Sequence, residues 1–134
     1  MNEHTAGTGL VILTHGDIGR SMLEVAEFIL EQSLASIRVI SFQQSAMKET
    51  ADDEIQAAID QANLGGGVLV MTDVGGASPC NYAARLRSSP DVAVVSGLNL
   101  AMLIRVWNYR HKPVRQLVNL AIEGAVRDIR EFTK

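Results

Sequence analysis

The sequence predicts an α/β fold, an open and doubly wound sheet of mainly parallel strands with helices on both faces. Short apolar runs typical of strands alternate along the chain with segments whose apolar residues recur at helical spacing. The first apolar run, residues 9–13, is continuous rather than alternating, as expected for a parallel strand that is covered on both faces. The 134 residues, 47% of them hydrophobic, suit one such domain.

Two strands and two helices are predicted in the first half of the chain. Residues 9–13 (GLVIL) and 38–42 (RVISF) predict the strands. A helix from an N-cap at Thr50 to about Asn63 is predicted because three acidic residues fill its first turn. Residues 21–32 predict a helix because their apolar side chains follow a period of 3.6, at Met22, Val25, Ala26, Ile29 and Leu30.

The third strand and the following helix come next. The glycines at 65–67 end the preceding helix, and residues 68–72 (VLVMT) predict the third strand. Ser78 is suited to an N-cap and Pro79 to the first helical position, so a helix to about Arg87 is predicted.

A fourth strand and two helices complete the predicted pattern. Residues 91–96 (DVAVVS) predict the strand. Residues 98–109 predict a helix that the proline at 113 terminates. Residues 114–123 predict a last helix that Gly124 ends.

The two ends of the chain have weaker patterns. Residues 1–8 are polar, lack the apolar core of a secretory signal, and are predicted to form a flexible tail before a single domain of residues 9–134. Residues 125–132 are ambiguous, although the spacing of Val126, Ile129 and Phe132 slightly favours a helix.

Composition excludes several classes of protein. The net charge of −3 gives no sign of the basic surface that nucleic-acid binding needs. No apolar stretch approaches the ~20 residues that a membrane-spanning helix needs. Cys80 is the single cysteine, and with His4 and His111 it has no metal-ligand spacing. We therefore expect a cytoplasmic domain without a metal or another cofactor.

The candidate functional residues follow the first and third predicted strands. Thr14 and His15 come after the first strand, and Asp73 after the third. A flavodoxin-like strand order of 2-1-3-4 would make these strands neighbours, at the edge where open parallel sheets bind ligands. We therefore expect His15 and Asp73 to lie within reach of each other.

Such a pair is suited to phosphoryl transfer through a histidine. A carboxylate on one ring nitrogen fixes the tautomer, leaves the other nitrogen as a nucleophile, and stabilises the positive charge that develops on the ring. The backbone of Gly76, Ala77 and Ser78, before a helix N-terminus, is suited to holding a phosphoryl group.

Other functions are less well supported. A receiver domain phosphorylated on Asp73 would need acidic residues for Mg²⁺ where Thr14 and His15 stand. A serine hydrolase using Ser78 lacks the G-x-S-x-G motif, and the chain has no G-x-G-x-x-G or P-loop motif for a nucleotide. A non-catalytic regulatory or ligand-binding module of flavodoxin-like fold remains the alternative.

Three stretches stand in order along the chain: LVILTHGDIGRSMLEVAEFIL, GVLVMTDVGGASPCNYAARL and VVSGLNLAMLI. They resemble the enzyme IIA component of the mannose family of the bacterial phosphoenolpyruvate-dependent sugar phosphotransferase system, and the likeness covers residues 10–132. The resemblance implies a phosphotransferase component for sugar uptake or its regulation. Its histidine accepts a phosphoryl group from the phosphocarrier HPr and passes it to an enzyme IIB partner.

The resemblance also implies roles for individual residues. His15 would be phosphorylated at Nε2 and Asp73 would orient it, while Thr14 and Ser78, with the backbone of residues 76–78, would contact the phosphoryl group. It further implies a homodimer in which the segment after Gly124 forms an antiparallel edge strand. The family has a bulky residue where Gly75 stands and a glycine where Ala77 stands, so we expect a gap beside the site at Gly75.

Overall fold

The computed structural model describes residues 7–42, 51–75 and 91–133. Within these ranges lie four strands, β1 to β4, and four helices, α1 to α4. In chain order they are β1 (Gly9–His15), α1 (Ile18–Leu30), β2 (Arg38–Phe42), α2 (Ala51–Ala62), β3 (Val68–Thr72), β4 (Val92–Val95), α3 (Leu100–Asn108) and α4 (Val114–Arg127). The predicted cap at Thr50 and the predicted helix over 78–87 lie outside the described residues.

The four strands form one parallel sheet in the order β2-β1-β3-β4, which confirms the predicted fold class and strand order. In the pairing of β1 with β3, Leu13 lies opposite Thr72. This register brings the end of β1 and the residue after β3 to the same edge of the sheet.

Both faces of the sheet are covered by helices. On one face, α1, α3 and α4 bury Leu23, Leu103 and Leu117 against the sheet. On the other face, α2 buries Ile55 and Ile59. Because successive strand residues point to opposite faces, the apolar runs of β1 and β3 supply both cores, which explains why they do not alternate with polar residues.

The C-terminal segment is helical over only the first part of residues 125–132. Helix α4 does not end at Gly124 but continues to Arg127, and residues 129–133 have no regular secondary structure. Gly124 is buried because Arg105 packs across it: a Cβ there would lie 2.6 Å from Cδ of Arg105. The glycine therefore serves close packing rather than helix termination, and no antiparallel edge strand is present among the described residues of this single chain.

The predicted tail is too long by at least two residues. Gly7 and Thr8 are buried, and the N–H of Thr8 donates to the carbonyl of Arg110 at 2.8 Å. The hydroxyl of Thr8 donates to the carbonyl of Lys112 at the same distance. These bonds fix the start of β1 against the loop between α3 and α4. None of the helices described is both long and apolar enough to cross a membrane.

Candidate functional site

His15 and Asp73 meet at the carboxyl edge of the sheet. Nδ1 of His15 lies 3.0 Å from Oδ2 of Asp73, and the backbone N–H of His15 donates to the same oxygen at 3.0 Å. The other carboxylate oxygen, Oδ1, accepts the N–H of Val74 at 3.0 Å. Asp73 therefore holds the ring and the backbone of His15 together, as expected from the sequence, and also closes its own turn.

The ring of His15 is half exposed, with 47% of its side chain open to solvent, whereas Asp73 exposes 11%. The rings of His15 and Phe42, the last residue of β2, form a T-shaped contact with centroids 6.3 Å apart and planes at 71°. Among the described residues, Nε2 has no hydrogen-bond partner. With a proton on Nδ1 shared with Asp73, Nε2 presents its lone pair to solvent.

The pKa of Asp73 lies below its ordinary value of 3.8. Burial alone would raise it, but several hydrogen bonds and one charge together outweigh that effect. The bonds come from the backbone N–H of His15, from its ring and from the N–H of Val74, and the charge is that of the His15 ring. The carboxylate is therefore ionised at neutral pH and can stabilise positive charge on the ring.

Thr14 does not fit the phosphate-binding role predicted for it. Its side chain is fully buried, and its hydroxyl oxygen accepts the N–H of Gly19 at 2.8 Å. A Cβ at Gly19 would lie 2.8 Å from that oxygen and 2.6 Å from Cγ2 of Ile12. Thr14 therefore fixes the first turn of α1 from the sheet face opposite to His15.

The structure describes the loop predicted to hold the phosphoryl group only as far as Gly75. Gly76, Ala77 and Ser78 lie outside the described residues. At Gly75 the expected gap is absent, because a Cβ there would lie 2.8 Å from Oγ of Ser96. The side chain of Ser96, which follows β4, occupies the space beside the turn.

Several apolar side chains of α1 that the helical period groups with the core are exposed. The helical period groups Val25 and Ile29 with Ala26, yet the structure buries Ala26 and leaves Val25 and Ile29 47% and 49% exposed. Ile18, directly after the turn, is 52% exposed. The width of the apolar arc on α1 was the available signal, because one core-facing stripe does not need all of these positions.

The family described as PTS system fructose IIA component, EIIA-man, matches residues 9–119. The chain belongs to this family. In this EIIA-man chain, His15 and Asp73 meet at the carboxyl edge of the sheet.

Known relatives are similar over most of this EIIA-man chain. The PTS system mannose-specific EIIAB component of Escherichia coli (strain K12) is 30% identical over 117 residues, which cover 85% of the chain but only 36% of that relative. The mannose/sorbose specific IIA subunit from Enterococcus faecalis superimposes with a TM-score of 0.84 at 24% identity, over 96% of each chain. The component EIIA from Streptococcus agalactiae gives 0.77 at 25% identity, over 93% of this chain and 97% of that one.

Proposed function

We propose that the chain is a phosphohistidine carrier that accepts a phosphoryl group from HPr on His15 and passes it to an enzyme IIB partner. The observation that carries the proposal is the 3.0 Å contact between Nδ1 of His15 and Oδ2 of Asp73, which leaves Nε2 as the exposed nucleophile. Family membership supports the same assignment. A cytoplasmic location and a place in sugar uptake or its regulation belong to this proposal.

The proposed phosphoryl transfer uses the His15 ring with its proton on Nδ1 and a lone pair on Nε2. The lone pair of Nε2 attacks the phosphorus of phosphorylated HPr, the bond from phosphorus to the donor nitrogen breaks, and a bond from phosphorus to Nε2 forms. The proton on Nδ1 stays in its hydrogen bond to Asp73, whose negative charge stabilises the positive charge that grows on the ring. The reverse sequence at the acceptor nucleophile of the IIB partner regenerates neutral His15.

The phosphoryl oxygens need donors beyond His15 and Asp73. The backbone of Gly76 and Ala77 and the hydroxyl of Ser78 are proposed for this role from the resemblance alone. Thr14 is not part of this proposal, because its hydroxyl already accepts the N–H of Gly19.

A homodimer is also proposed. Among the strands that the structure describes, β4 is the last on its side of the sheet, with β3 as its partner. The C-terminal stretch leaves apolar side chains in solvent, which a second copy would cover: Ile122, Val126, Ile129 and Phe132, between 47% and 81% exposed.

Phosphorylation of the full chain with phosphoenolpyruvate, enzyme I and HPr tests the proposal. Intact mass should increase by one phosphoryl group in the wild type and not in His15→Ala, and the adduct should be labile in acid and stable in base. His111→Ala is the matched control, since it removes an exposed histidine outside the site. Equal labelling of His15→Ala would refute the assignment, and an unlabelled wild type would favour a regulatory binding module.

A further inference from the structure

A cavity of about 480 Å³ lies between α3 and the C-terminal part of α4. Its lining is partly apolar, from Ala101, Ile104 and Tyr109, and partly charged. A volume of this size is typical of sites for small organic molecules rather than for single ions. The cavity shares no residue with the described part of the His15 site, so its role is separate from that of the histidine.

The charged part of the lining is mainly positive. Arg105, Arg127 and Arg130 line the cavity, and Asp128 is the one acidic residue among them. Three arginines against one aspartate leave an excess of two positive charges in the lining. A phosphate monoester carries about −1.5 to −2 charges at neutral pH, whereas a single carboxylate carries one. The charge of the cavity therefore suits a phosphate group better than a carboxylate.

Two of the arginines converge on one oxygen atom. Oε1 of Glu123, beside the cavity, lies 3.4 Å from Nη1 of Arg105 and 3.5 Å from Nη2 of Arg127. Both distances exceed the roughly 2.7–2.9 Å of a strong charge-assisted hydrogen bond, and the side chain of Glu123 is 54% exposed. Glu123 therefore marks a position where an anionic oxygen is stable, but it holds that position only loosely.

Arg105 is held in place by its surroundings. Its side chain is only 23% exposed and packs across Gly124, where a Cβ would lie 2.6 Å from Cδ and 2.7 Å from Nε of the arginine. Its guanidinium carbon lies 5.9 Å from the centroid of the Tyr109 ring. A ligand would therefore meet a guanidinium group that is already ordered, which lowers the entropic cost of binding.

The cavity and the proposed dimer contact use different sides of α4. Ile122 and Val126, which a second copy would cover, are four residues apart and so lie on one side of the helix. Gly124 is two residues from each of them, which places it on the opposite side, against Arg105 of α3.

We propose that this cavity binds a small organic phosphate. Its phosphoryl oxygens would accept hydrogen bonds from Arg105 and Arg127, because a guanidinium group matches phosphate with paired N–H donors. The organic part would lie against Ile104 and Tyr109. Glu123 competes with the ligand for the same donors and gives way when the phosphate binds. The chain would thus have a ligand site beyond its phosphorylated histidine.

Titration of the full chain with phosphate esters of different organic parts tests the site. The probes are phenyl phosphate, glucose 6-phosphate and 3-phosphoglycerate, with glucose and inorganic phosphate as controls. The amide signal of Gly124 should shift on addition of at least one ester with a millimolar or lower Kd, at least about tenfold below that of inorganic phosphate. Glucose should cause no shift. No shift with any ester at about 10 mM, or equal affinity for inorganic phosphate and the tightest ester, would overturn the proposal.

Charge variants test which side chains hold the phosphate. Arg105→Gln should raise the Kd of the tightest ester about tenfold, whereas Arg20→Gln, which removes an exposed arginine from α1, should leave it unchanged. Glu123→Gln should lower the Kd about two- to fivefold, because the competing carboxylate is gone. Equal Kd values in wild type and Arg105→Gln would refute the site.

Gly124→Ala separates a built site from a general attraction to positive charge. The variant keeps every charge, but its methyl group displaces Arg105, so the Kd should rise about fivefold or more. A urea titration shows that the variant is folded, and Arg105→Gln answers the same question if it is not. An unchanged Kd in folded Gly124→Ala would overturn the proposal. None of these measurements involves His15, so they stand or fall independently of phosphoryl transfer.

Discussion

The ring of His15 and the backbone N–H of the same residue share one acceptor, Oδ2 of Asp73, at 3.0 Å each. The carboxylate cannot turn away from the ring without also losing the hydrogen bond from the backbone N–H of His15. The orientation of the imidazole is therefore fixed by the backbone as well as by its own hydrogen bond, which is how a nucleophile is held ready before its substrate arrives.

Asp73→Asn is expected to slow phosphoryl transfer strongly without unfolding the chain. The amide can donate an N–H to the ring, which selects the wrong tautomer, and it carries no charge to stabilise the ring during attack. By comparison with carboxylates that orient histidine in other enzymes, the loss should be on the order of 10²- to 10⁴-fold. Single-turnover transfer from phosphorylated HPr measures it, with Asp60→Asn on α2 as control. Equal rates in all three proteins would mean that Asp73 only closes its turn.

The depressed pKa of Asp73 makes part of the stability depend on pH. A carboxyl whose pKa is lower in the folded than in the unfolded chain adds stability above its unfolded pKa, near the ordinary 3.8, and loses it as pH falls through the folded value. The free energy of unfolding of the wild type should therefore exceed that of Asp73→Asn at neutral pH, and this difference should shrink in acid. Urea titrations of both proteins at several pH values measure it. A difference that stays constant would contradict the interpretation.

Thr14→Val is expected to destabilise the fold by about 1–3 kcal/mol, the usual cost of leaving a buried donor unpaired. The donor is the N–H of Gly19, whose acceptor is the Thr14 hydroxyl. Thr14→Ser keeps the hydroxyl and should recover most of the loss in a urea titration. Transfer to the folded fraction of Thr14→Val should proceed at the wild-type rate. Slower phosphoryl transfer would indicate that Thr14 contacts the phosphoryl group and would contradict this prediction.

Ile129→Asp is expected to shift the protein from dimer to monomer. Ile129 is 76% exposed in the single chain and would be covered in the proposed dimer, where an aspartate would have to lose its hydration. Light scattering at micromolar concentration measures the change, and Leu64→Asp provides an exposed apolar position away from the C-terminal stretch. A monomeric wild type would refute the proposed dimer.

Much of the fold was predictable because its signals are local. β1 and β3 contain continuous apolar runs, and the strand order brings His15 to Asp73 once these two strands are neighbours. The predictions that were wrong depend on contacts between residues far apart in sequence. A glycine such as Gly124 is typical of a helix end. Here, however, the glycine is needed because the side chain of Arg105, from another helix, packs where a Cβ would lie.

The functional surroundings of the site were less predictable for a similar reason. A helical period identifies apolar positions but does not say whether the sheet or solvent faces them, so Val25 and Ala26 looked alike in the sequence. The phosphate-binding role of Thr14 was taken from the family resemblance. Alternation along a strand places neighbouring side chains on opposite faces, and this rule would have separated Thr14 from His15.

The pairing of β1 with β3 has a consequence for how the protein becomes active. His15 and Asp73 are 58 positions apart in sequence, and β2 and α2 lie between them. No short fragment and no partly folded chain in which these strands remain apart can assemble the pair. Competence for phosphorylation should therefore appear only with long-range strand pairing during refolding, and a brief pulse of phosphorylated HPr would label the native population selectively.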